Sequence, residues 1–277
     1  MSTTKNPTKT NPQTSLDAAF DAAAADYDAW FTHSPTGKLQ RQRVHEFLRE
    51  HVLSEEPKNI LELNCGTGED ALWLAQNGQH VTATDVSGEM LRIARQKAGT
   101  VALSAPISFA ELDLAAPQLP AESPAFGGVF SNFGGLNCIG PEDFRRLAKF
   151  LHQHMEPGGK FVAVIMPRGC LWERFYFNLK RKPAQAYRRN TNGPVTVVVK
   201  DQPVKTWYYN PDEIAALCSP YFKVCRKKAI GFFLPPSYLD PFFEHRPALL
   251  NLLNRLENTL GGPSSASDHF LIELERT

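Results

Sequence analysis

Short apolar runs recur along the first part of the chain, and each is followed by a stretch whose apolar residues return at helical spacing. The runs have the length of buried strands and cover residues 59–63, 80–85, 107–112, 126–131 and 160–166. The stretches between them predict helices that begin near Ala71 and cover Ser87–Ala98 and Pro141–Met155. Strands that alternate with helices in this way predict a parallel sheet with helices on both faces.

The pattern differs on either side of this region. Before it, apolar spacing predicts two helices, Leu16–Phe31 and Leu39–Val52, joined by a turn at residues 33–37. After it, the order is a basic aromatic segment, a hairpin, a short helix, a strand, a mostly helical stretch and a final strand. These are predicted at residues 168–190, 195–199 with 204–209, 211–217, 221–233, 239–260 and 268–275.

The composition limits the kind of protein and its compartment but indicates no particular partner. A chain of 277 residues, 42% of them hydrophobic, can bury a sizeable core, and a formal net charge of +1 favours no particular partner. The five cysteines show neither CxxC pairs nor zinc spacing, so we expect free thiols in a reducing cytosol and no metal site. No apolar run approaches the roughly 20 residues of a membrane helix, so we expect no membrane insertion. The first 15 residues lack the apolar core of a secretion signal.

The loop after the first strand carries the most specific chemistry. Its glycines, Gly66 and Gly68, allow a sharp turn against which a ligand can lie, and the next helix directs its N–H groups there. The spacing also fits the loose dinucleotide fingerprint, but the carboxylate of Glu62 at the strand end would repel a pyrophosphate. Asp85 ends the second strand and can accept ribose hydroxyls, and Asp113 follows the third and can accept an adenine amine, although Glu111 could take that role instead.

Three acids at neighbouring strand ends describe a ligand with a ribose, an amine and no phosphate, which S-adenosylmethionine fits. The run Glu62-Leu63-Asn64-Cys65-Gly66-Thr67-Gly68 resembles the first motif of class I S-adenosylmethionine-dependent methyltransferases of the small-molecule type. Val81–Ser87 with Met90-Leu91, the acid of Glu111-Leu112-Asp113 and the Pro157–Lys160 turn resemble later blocks of that family. Asn64 stands where the family usually has glycine, and we expect the turn to survive because Asn tolerates left-handed backbone.

The resemblance implies an α/β fold with a Rossmann-like, seven-stranded, mostly parallel sheet that contains one antiparallel strand. It implies that Glu62 and the glycine loop hold the methionine part, Asp85 the ribose and Asp113 the adenine, with S-adenosylhomocysteine as product. Together, the candidate cofactor residues are Tyr27, Glu62, Asn64, Cys65, Gly66, Gly68, Asp85, Val86, Met90, Leu112, Asp113 and Asn132.

We divide the chain into five regions. They are a disordered tail, an N-terminal helical lid, the cofactor-binding core, an inserted lid or substrate region, and the C-terminal part of the core with a helical insertion. Their bounds are residues 1–15, 16–58, 59–167, 168–210 and 211–277.

The acceptor is less well specified. His33 and Asn132 are candidate catalytic residues, although each is also an ordinary turn residue. Aromatic side chains near the crevice suggest a small aromatic or lipophilic acceptor methylated on oxygen, nitrogen or carbon, and the candidate contacts are Phe31, Phe133, Trp172, Phe175 and Tyr209.

The basic segment 168–190 leaves the partner open. It could favour an anionic acceptor or an acidic carrier protein. We favour a solvated lid helix over nucleic-acid binding, because no Asn/Asp-Pro-Pro-aromatic run follows the fourth strand. The alternatives to a methyltransferase are an NAD(P)-dependent oxidoreductase and a non-catalytic S-adenosylmethionine-binding protein. Nothing in the pattern predicts an oligomeric state.

Overall fold

The computed structural model describes residues 12–277, which contain ten α-helices and nine strands. The helices are α1 (Pro12–Tyr27), α2 (Pro35–His51), α3 (Glu69–Gln76), α4 (Gly88–Ala98), α5 (Pro141–His154), α6 (Leu171–Leu179), α7 (Pro183–Ala186), α8 (Pro211–Cys218), α9 (Asp240–Phe243) and α10 (Pro247–Leu260). The strands are β1 (Asn59–Leu63), β2 (His80–Asp85), β3 (Ile107–Glu111), β4 (Phe126–Ser131), β5 (Met155–Ile165), β6 (Val195–Val199), β7 (Gln202–Thr206), β8 (Phe222–Ile230) and β9 (His269–Arg276).

Seven strands form one sheet in the order β3-β2-β1-β4-β5-β9-β8. β9 pairs antiparallel with both neighbours, whereas the pairs from β3 to β5 are parallel. The predicted mostly parallel sheet with one antiparallel strand is therefore confirmed. Because β9 runs against the others, its first residue, His269, lies opposite Ile230, the last residue of β8. The start of β9 thus reaches the edge where the parallel strands end.

Alternate residues of β1 face opposite layers, as a strand buried on both faces requires. Leu61 and Leu63 belong to the apolar cluster that contains Phe144 of α5. Ile60 belongs to the cluster on the other face, which contains Val44 of α2. Helices therefore cover both faces, as the alternation of strands and helices predicted.

The N-terminal helices are bonded to the core near the glycine loop. Asp21 of α1 accepts hydrogen bonds from Ser87 Oγ (2.5 Å) and from the Glu89 N–H (3.2 Å) at the start of α4. Asp28, in a π-helical turn after α1, accepts from Thr67 Oγ1 (2.6 Å) and pairs with Lys97 (2.5 Å). These bonds fix α1 above the carboxyl edge of the sheet.

Several predicted boundaries differ from the structure, among them the start of β5, at Met155 rather than residue 160, and the end of β7, at Thr206 rather than residue 209. α2 begins at Pro35 within the predicted turn, because Ser34 caps it by accepting from the Gly37 N–H (3.0 Å) and proline suits the first helical position. The stretch 239–260, predicted to be mostly helical, contains two helices, α9 and α10, and the second begins at Pro247. Residues 1–11 of the predicted tail lie outside the described residues, and α1 begins at Pro12, inside that predicted tail.

β6 and β7 form a separate antiparallel hairpin, as predicted. Lys200 at its turn pairs with Asp26 of α1 (2.5 Å), so the hairpin and α1 lie together on the same side of the sheet. In the chain from residue 12 onward, we find no helix with the length and apolar character needed to cross a bilayer.

Candidate active site

A cavity of about 350 Å³ lies at the carboxyl edge of the sheet. Its floor comes from the ends of β1, β2 and β4, and its cover from α1 and the hairpin. The covering side chains are mostly apolar and include Leu16, Phe20, Val197, Val199 and Val204. The cavity is therefore a crevice of the sheet edge closed by two segments from distant parts of the chain.

The cavity has two sides, which we name by their chemistry. The acid side lies over β1–β3 and includes Asp70, Asp85 and Asp113. The ring side lies over β4, β5 and β9 and includes Phe31, Phe133, Tyr208 and His269.

Asp85 is bonded to the glycine loop on the acid side. Its Oδ2 accepts from the Gly66 N–H (2.8 Å) and its Oδ1 from the Ser87 N–H (2.9 Å). Burial raises the pKa of Asp85, although these backbone bonds oppose the rise. Each carboxylate oxygen keeps a further lone pair, so Asp85 can still accept from a ligand hydroxyl. Asp113 also lines the cavity, where its alternative Glu111 contributes no lining atom.

Glycine is required at position 68 for helix packing. Its φ is +83°, and a Cβ there would lie 2.7 Å from the Cβ of Ala94 on α4. Glycine at this position lets α4 pack against the loop. Gly68 lies outside the cavity lining, whereas Gly66 is part of it.

Asn64 has φ +48°, so the expected left-handed backbone is confirmed. Its Nδ2 donates to the Asn132 carbonyl (2.8 Å), and its Oδ1 accepts from Ser131 Oγ (2.6 Å). The side chain also fills the space next to Gly135, where a Cβ would lie 2.1 Å from Asn64 Cγ. Asn64, which stands where the family usually has glycine, therefore joins the end of β1 to the end of β4.

Glu62 lies behind the cavity wall and is 1% exposed. Its Oε2 is buried without a hydrogen-bond partner among residues 12–277. Burial, and then the nearby charge of Asp70, raise the pKa of Glu62 well above its ordinary value. An unpartnered buried carboxylate oxygen is the group that a ligand ammonium would satisfy, so these residues fit S-adenosylmethionine.

Asp70 forms a charged cluster that the sequence did not predict. It pairs with Arg41, lies 2.6 Å from His45 Nε2, and accepts from Asn132 Nδ2 (3.0 Å). Burial alone would raise its pKa, but Arg41 and His45 hold it well below the ordinary range. Asn132 Oδ1 also accepts from the Phe133 N–H (3.0 Å), so both ends of this predicted catalytic amide are bonded within the protein.

The other predicted cofactor residues also line the cavity. Burial raises the pKa of Tyr27 to about 12 and that of the Cys65 thiol well above its ordinary value, so both side chains stay protonated. The remaining predicted positions that line it are Val86, Met90, Leu112 and Asn132.

Aromatic rings meet on the ring side. Phe31 and Phe133 pack edge to face with centroids 4.9 Å apart, and Phe133 packs in the same way on His269 at 5.4 Å. Tyr208 and Arg188 complete this wall. The sequence predicted the two phenylalanines as acceptor contacts and placed Tyr208 and Arg188 only in segments near the crevice, and it missed His269.

Four predicted residues lie elsewhere, which corrects their assignment. Trp172 packs against Phe243 (6.2 Å between centroids) because α6 turns its inner face toward α9. Phe175 is 65% exposed, and Tyr209 is buried in the core with its hydroxyl donating to the Ile139 carbonyl (2.6 Å). His33 lies on an outer groove with His45 and Trp73, on the far side of Arg41.

A buried ion network supports the ring side. Arg189 donates to Glu173 Oε1 and to Asp268 Oδ1, each at 2.9 Å, and to the Asp268 carbonyl at 2.8 Å. Arg188 shares Glu173 at 2.7 Å. Glu173, Arg189 and Asp268 are 1%, 4% and 5% exposed. The network therefore joins α6, the segment after α7 and the start of β9.

The fold and site together define a nucleoside-binding α/β crevice with an apolar cover. Residues 60–159 match the family model of the methyltransferase domain. This match supports a methyltransferase domain of the class I S-adenosylmethionine-dependent type, with S-adenosylmethionine as its cofactor.

Curated relatives are similar over about half of their length. A ubiquinone/menaquinone biosynthesis C-methyltransferase of Acidiphilium cryptum is 32% identical over 154 residues, 54% of this chain and 57% of that protein. A malonyl-[acyl-carrier protein] O-methyltransferase of Pseudescherichia vulneris is 30% identical over 156 residues, 56% of this chain and 55% of that protein.

A solved structure supports the fold. The magnesium protoporphyrin IX methyltransferase of Synechocystis PCC 6803, with bound S-adenosylmethionine, superposes with a TM-score of 0.60 at 14% identity, covering 98% of this chain and all of that one.

Proposed function

We propose that this chain transfers a methyl group from S-adenosylmethionine to a small acceptor of aromatic or lipophilic character. The observation that carries the proposal is a single cavity with an acid side and a ring side that differ in chemistry. The acid side suits a ligand with hydroxyl and ammonium donors, and the ring side suits a planar apolar acceptor.

On the acid side, Asp85 accepts the ribose hydroxyls and Asp113 the adenine amine. Glu62 compensates the ammonium group of the methionine part, which supplies the partner that its buried Oε2 does not find among residues 12–277. Tyr27 and Met90 pack against the nucleoside from α1 and α4. When bound, the cofactor supplies an activated methyl group on a positively charged sulfur.

The segments that cover the cavity keep water away from the reacting groups. Leu16 and Phe20 of α1 and the valines of the hairpin exclude water from the cavity. The charge of a sulfonium disperses during transfer, so an apolar surround does not oppose the change. The protein's contribution is therefore to hold two partners at attack distance in a dry site.

The acceptor could also arrive on an acidic carrier protein. Arg188 lines the cavity and is exposed at the surface, so a cation stands at the ring side. One relative acts on malonyl-[acyl-carrier protein], as its name states. We also propose a cytosolic location, because the five cysteines are free thiols.

The test is transfer of a labelled methyl group from S-adenosylmethionine into a metabolite extract of the source organism, read by mass spectrometry. We expect one labelled small product with the wild type, and less of it with Asp85→Ala at cofactor concentrations that do not saturate the variant. Calorimetry with S-adenosylhomocysteine and NADH separates the alternatives. Binding of NADH alone would support an oxidoreductase, and binding of S-adenosylhomocysteine without transfer to any extract would support a non-catalytic protein.

A further inference from the structure

His269 stands apart from the residues that bind the cofactor. The antiparallel direction of β9 brings it to the carboxyl edge, where it lines the ring side beside Phe133. Its Nδ1 lies 3.3 Å from Asp268 Oδ2 without the alignment of a hydrogen bond, so a small rotation that closes this bond would leave Nε2 available to a ligand. A histidine buried at a cavity wall with a carboxylate behind it has the arrangement of an oriented proton acceptor.

We propose that His269 accepts the proton of a phenolic or enolic hydroxyl group on the methyl acceptor, and that Asp268 is the positioning residue for its ring. This rests on the proposed function and narrows the acceptor to a hydroxylated planar ring. That ring lies against Phe31 and Phe133 with its hydroxyl toward Nε2. Arg188, on the same wall, favours the negative charge that develops on the oxygen.

The proton and the electrons balance in one displacement. The acceptor oxygen forms a bond to the methyl carbon while the carbon–sulfur bond breaks, and the bonding pair leaves with sulfur. The hydroxyl proton moves to the lone pair of Nε2, which makes an imidazolium. The carboxylate of Asp268 offsets that charge, and the proton passes to water when the product leaves.

Asp268 is held in place for this role. Arg189 donates to its Oδ1 (2.9 Å), and Gln40 donates to its Oδ2 (3.3 Å), the oxygen that faces His269. Burial would raise the pKa of Asp268, but His269 and Arg189 hold it well below the ordinary range, so the carboxylate stays ionised.

Other charged groups also face this corner of the molecule. The charged groups come from α2, from α6 and from the segment after α7, and they are Arg41, Glu173, Arg188 and Arg189. The titratable phenol of Tyr208, after β7, faces the same corner.

The first test uses 4-nitrophenol as the probe, because its phenolate has its own absorption band. With the wild type saturated with S-adenosylhomocysteine at a pH below the probe's own pKa, we expect binding to produce the phenolate band. His269→Gln should bind the probe with at least tenfold less phenolate. His80→Gln, an exposed histidine at the start of β2, is the matched control and should behave as the wild type.

The second readout is catalytic and follows the same variants. With hydroxylated aromatic acceptors, His269→Gln should lower kcat by about 10²–10⁴-fold, change KM less than threefold, and regain activity as pH rises toward the acceptor's own pKa. A merely structural role would lower kcat equally at every pH. Affinity for S-adenosylhomocysteine should stay within twofold of the wild type.

If His269→Gln does not fold, a measurement on the wild type alone tests the proposal. The His269 ring resonances, assigned by selective labelling, should move toward imidazolium positions when 4-nitrophenol is added. Equal phenolate bands in wild type and variant, or a probe that stays neutral on the wild type, would overturn the proposal. A wild type that does not bind S-adenosylhomocysteine would instead overturn the proposed function. The phenolate band is therefore also measured without S-adenosylhomocysteine, so that the two failures are distinguishable.

Discussion

The two sides of the cavity are built in different ways. The acid side comes from consecutive strand ends, and its Asp85 accepts from backbone N–H groups of the glycine loop and of Ser87, which caps α4. The ring side brings together Phe133, Tyr208 and His269, which follow or begin elements far apart in the chain. Its support is a buried ion network rather than a continuous motif.

This difference indicates which side of the cavity can vary between family members, the cofactor side or the acceptor side. A strand, a tight loop and a helix in succession hold a ligand that every member of a family shares, because their geometry is local. Contacts between distant segments hold the part that differs from one acceptor to another. The four predictions below separate the two sides, beginning with the largest expected effect.

Arg189→Met should lower the free energy of unfolding by about 3–5 kcal/mol, because it leaves the buried carboxylates of Glu173 and Asp268 without their shared cation. Urea titration measures the loss. Arg145→Met removes an exposed pair with Glu142 and should change stability by under about 1 kcal/mol. Similar losses for the two variants would show that the network does not hold the ring side.

Asp85→Ala should weaken S-adenosylhomocysteine binding by about 1–3 kcal/mol, because charge-assisted bonds to the ribose are lost. Calorimetry measures this change. Asp212→Ala, whose side chain is 91% exposed on α8, is the control. Binding of 4-nitrophenol should be the same in both variants, since the ring side is untouched. An unchanged cofactor affinity in Asp85→Ala would move the ribose contact elsewhere.

Binding of S-adenosylhomocysteine should release a proton from Glu62. In the free protein burial and Asp70 raise the pKa of Glu62, and a bound ammonium lowers it again. Affinity should therefore rise with pH by up to about tenfold per unit below the free-state pKa and level off above it. Calorimetry in two buffers of different ionisation enthalpy counts the proton. Glu62→Gln should bind with no such release, and a wild type that also releases none would contradict the assignment.

The smallest effect concerns Asn64. Asn64→Ala and Asn64→Gly lose the same bonds to Ser131 and Asn132, but only alanine is strained at φ +48°. Asn64→Ala should therefore unfold with about 1 kcal/mol less free energy than Asn64→Gly. Thermal or urea unfolding compares them. Equal stabilities would mean that the loop relaxes and that its left-handed turn is not needed.

The strand order and most of the acid side could be predicted because their signals are local. Gly66, Asp85, Met90 and Asp113 lie in successive strand–loop–helix units, and each lines the cavity. The sequence predicted Gly68 as a cofactor contact. In the structure its missing Cβ makes room for α4 rather than for a ligand.

The ring side could not be predicted in the same way. Tyr208 and Tyr209 are adjacent in sequence, yet one lines the cavity and the other is bonded in the core. The sequence predicted Trp172 as an acceptor contact, but in the structure it packs against Phe243 of α9. One signal was present for His269, because an antiparallel last strand must return its first residues to the carboxyl edge.

A crystal structure of the complex with S-adenosylhomocysteine tests the central claim most directly. We expect the nucleoside on the acid side, with ribose hydroxyls within hydrogen-bond distance of Asp85 and the ammonium end toward Glu62. Its sulfur should face the ring side near Phe133. A ligand bound outside this cavity, or one whose ribose and ammonium groups lie away from both carboxylates, would contradict the account.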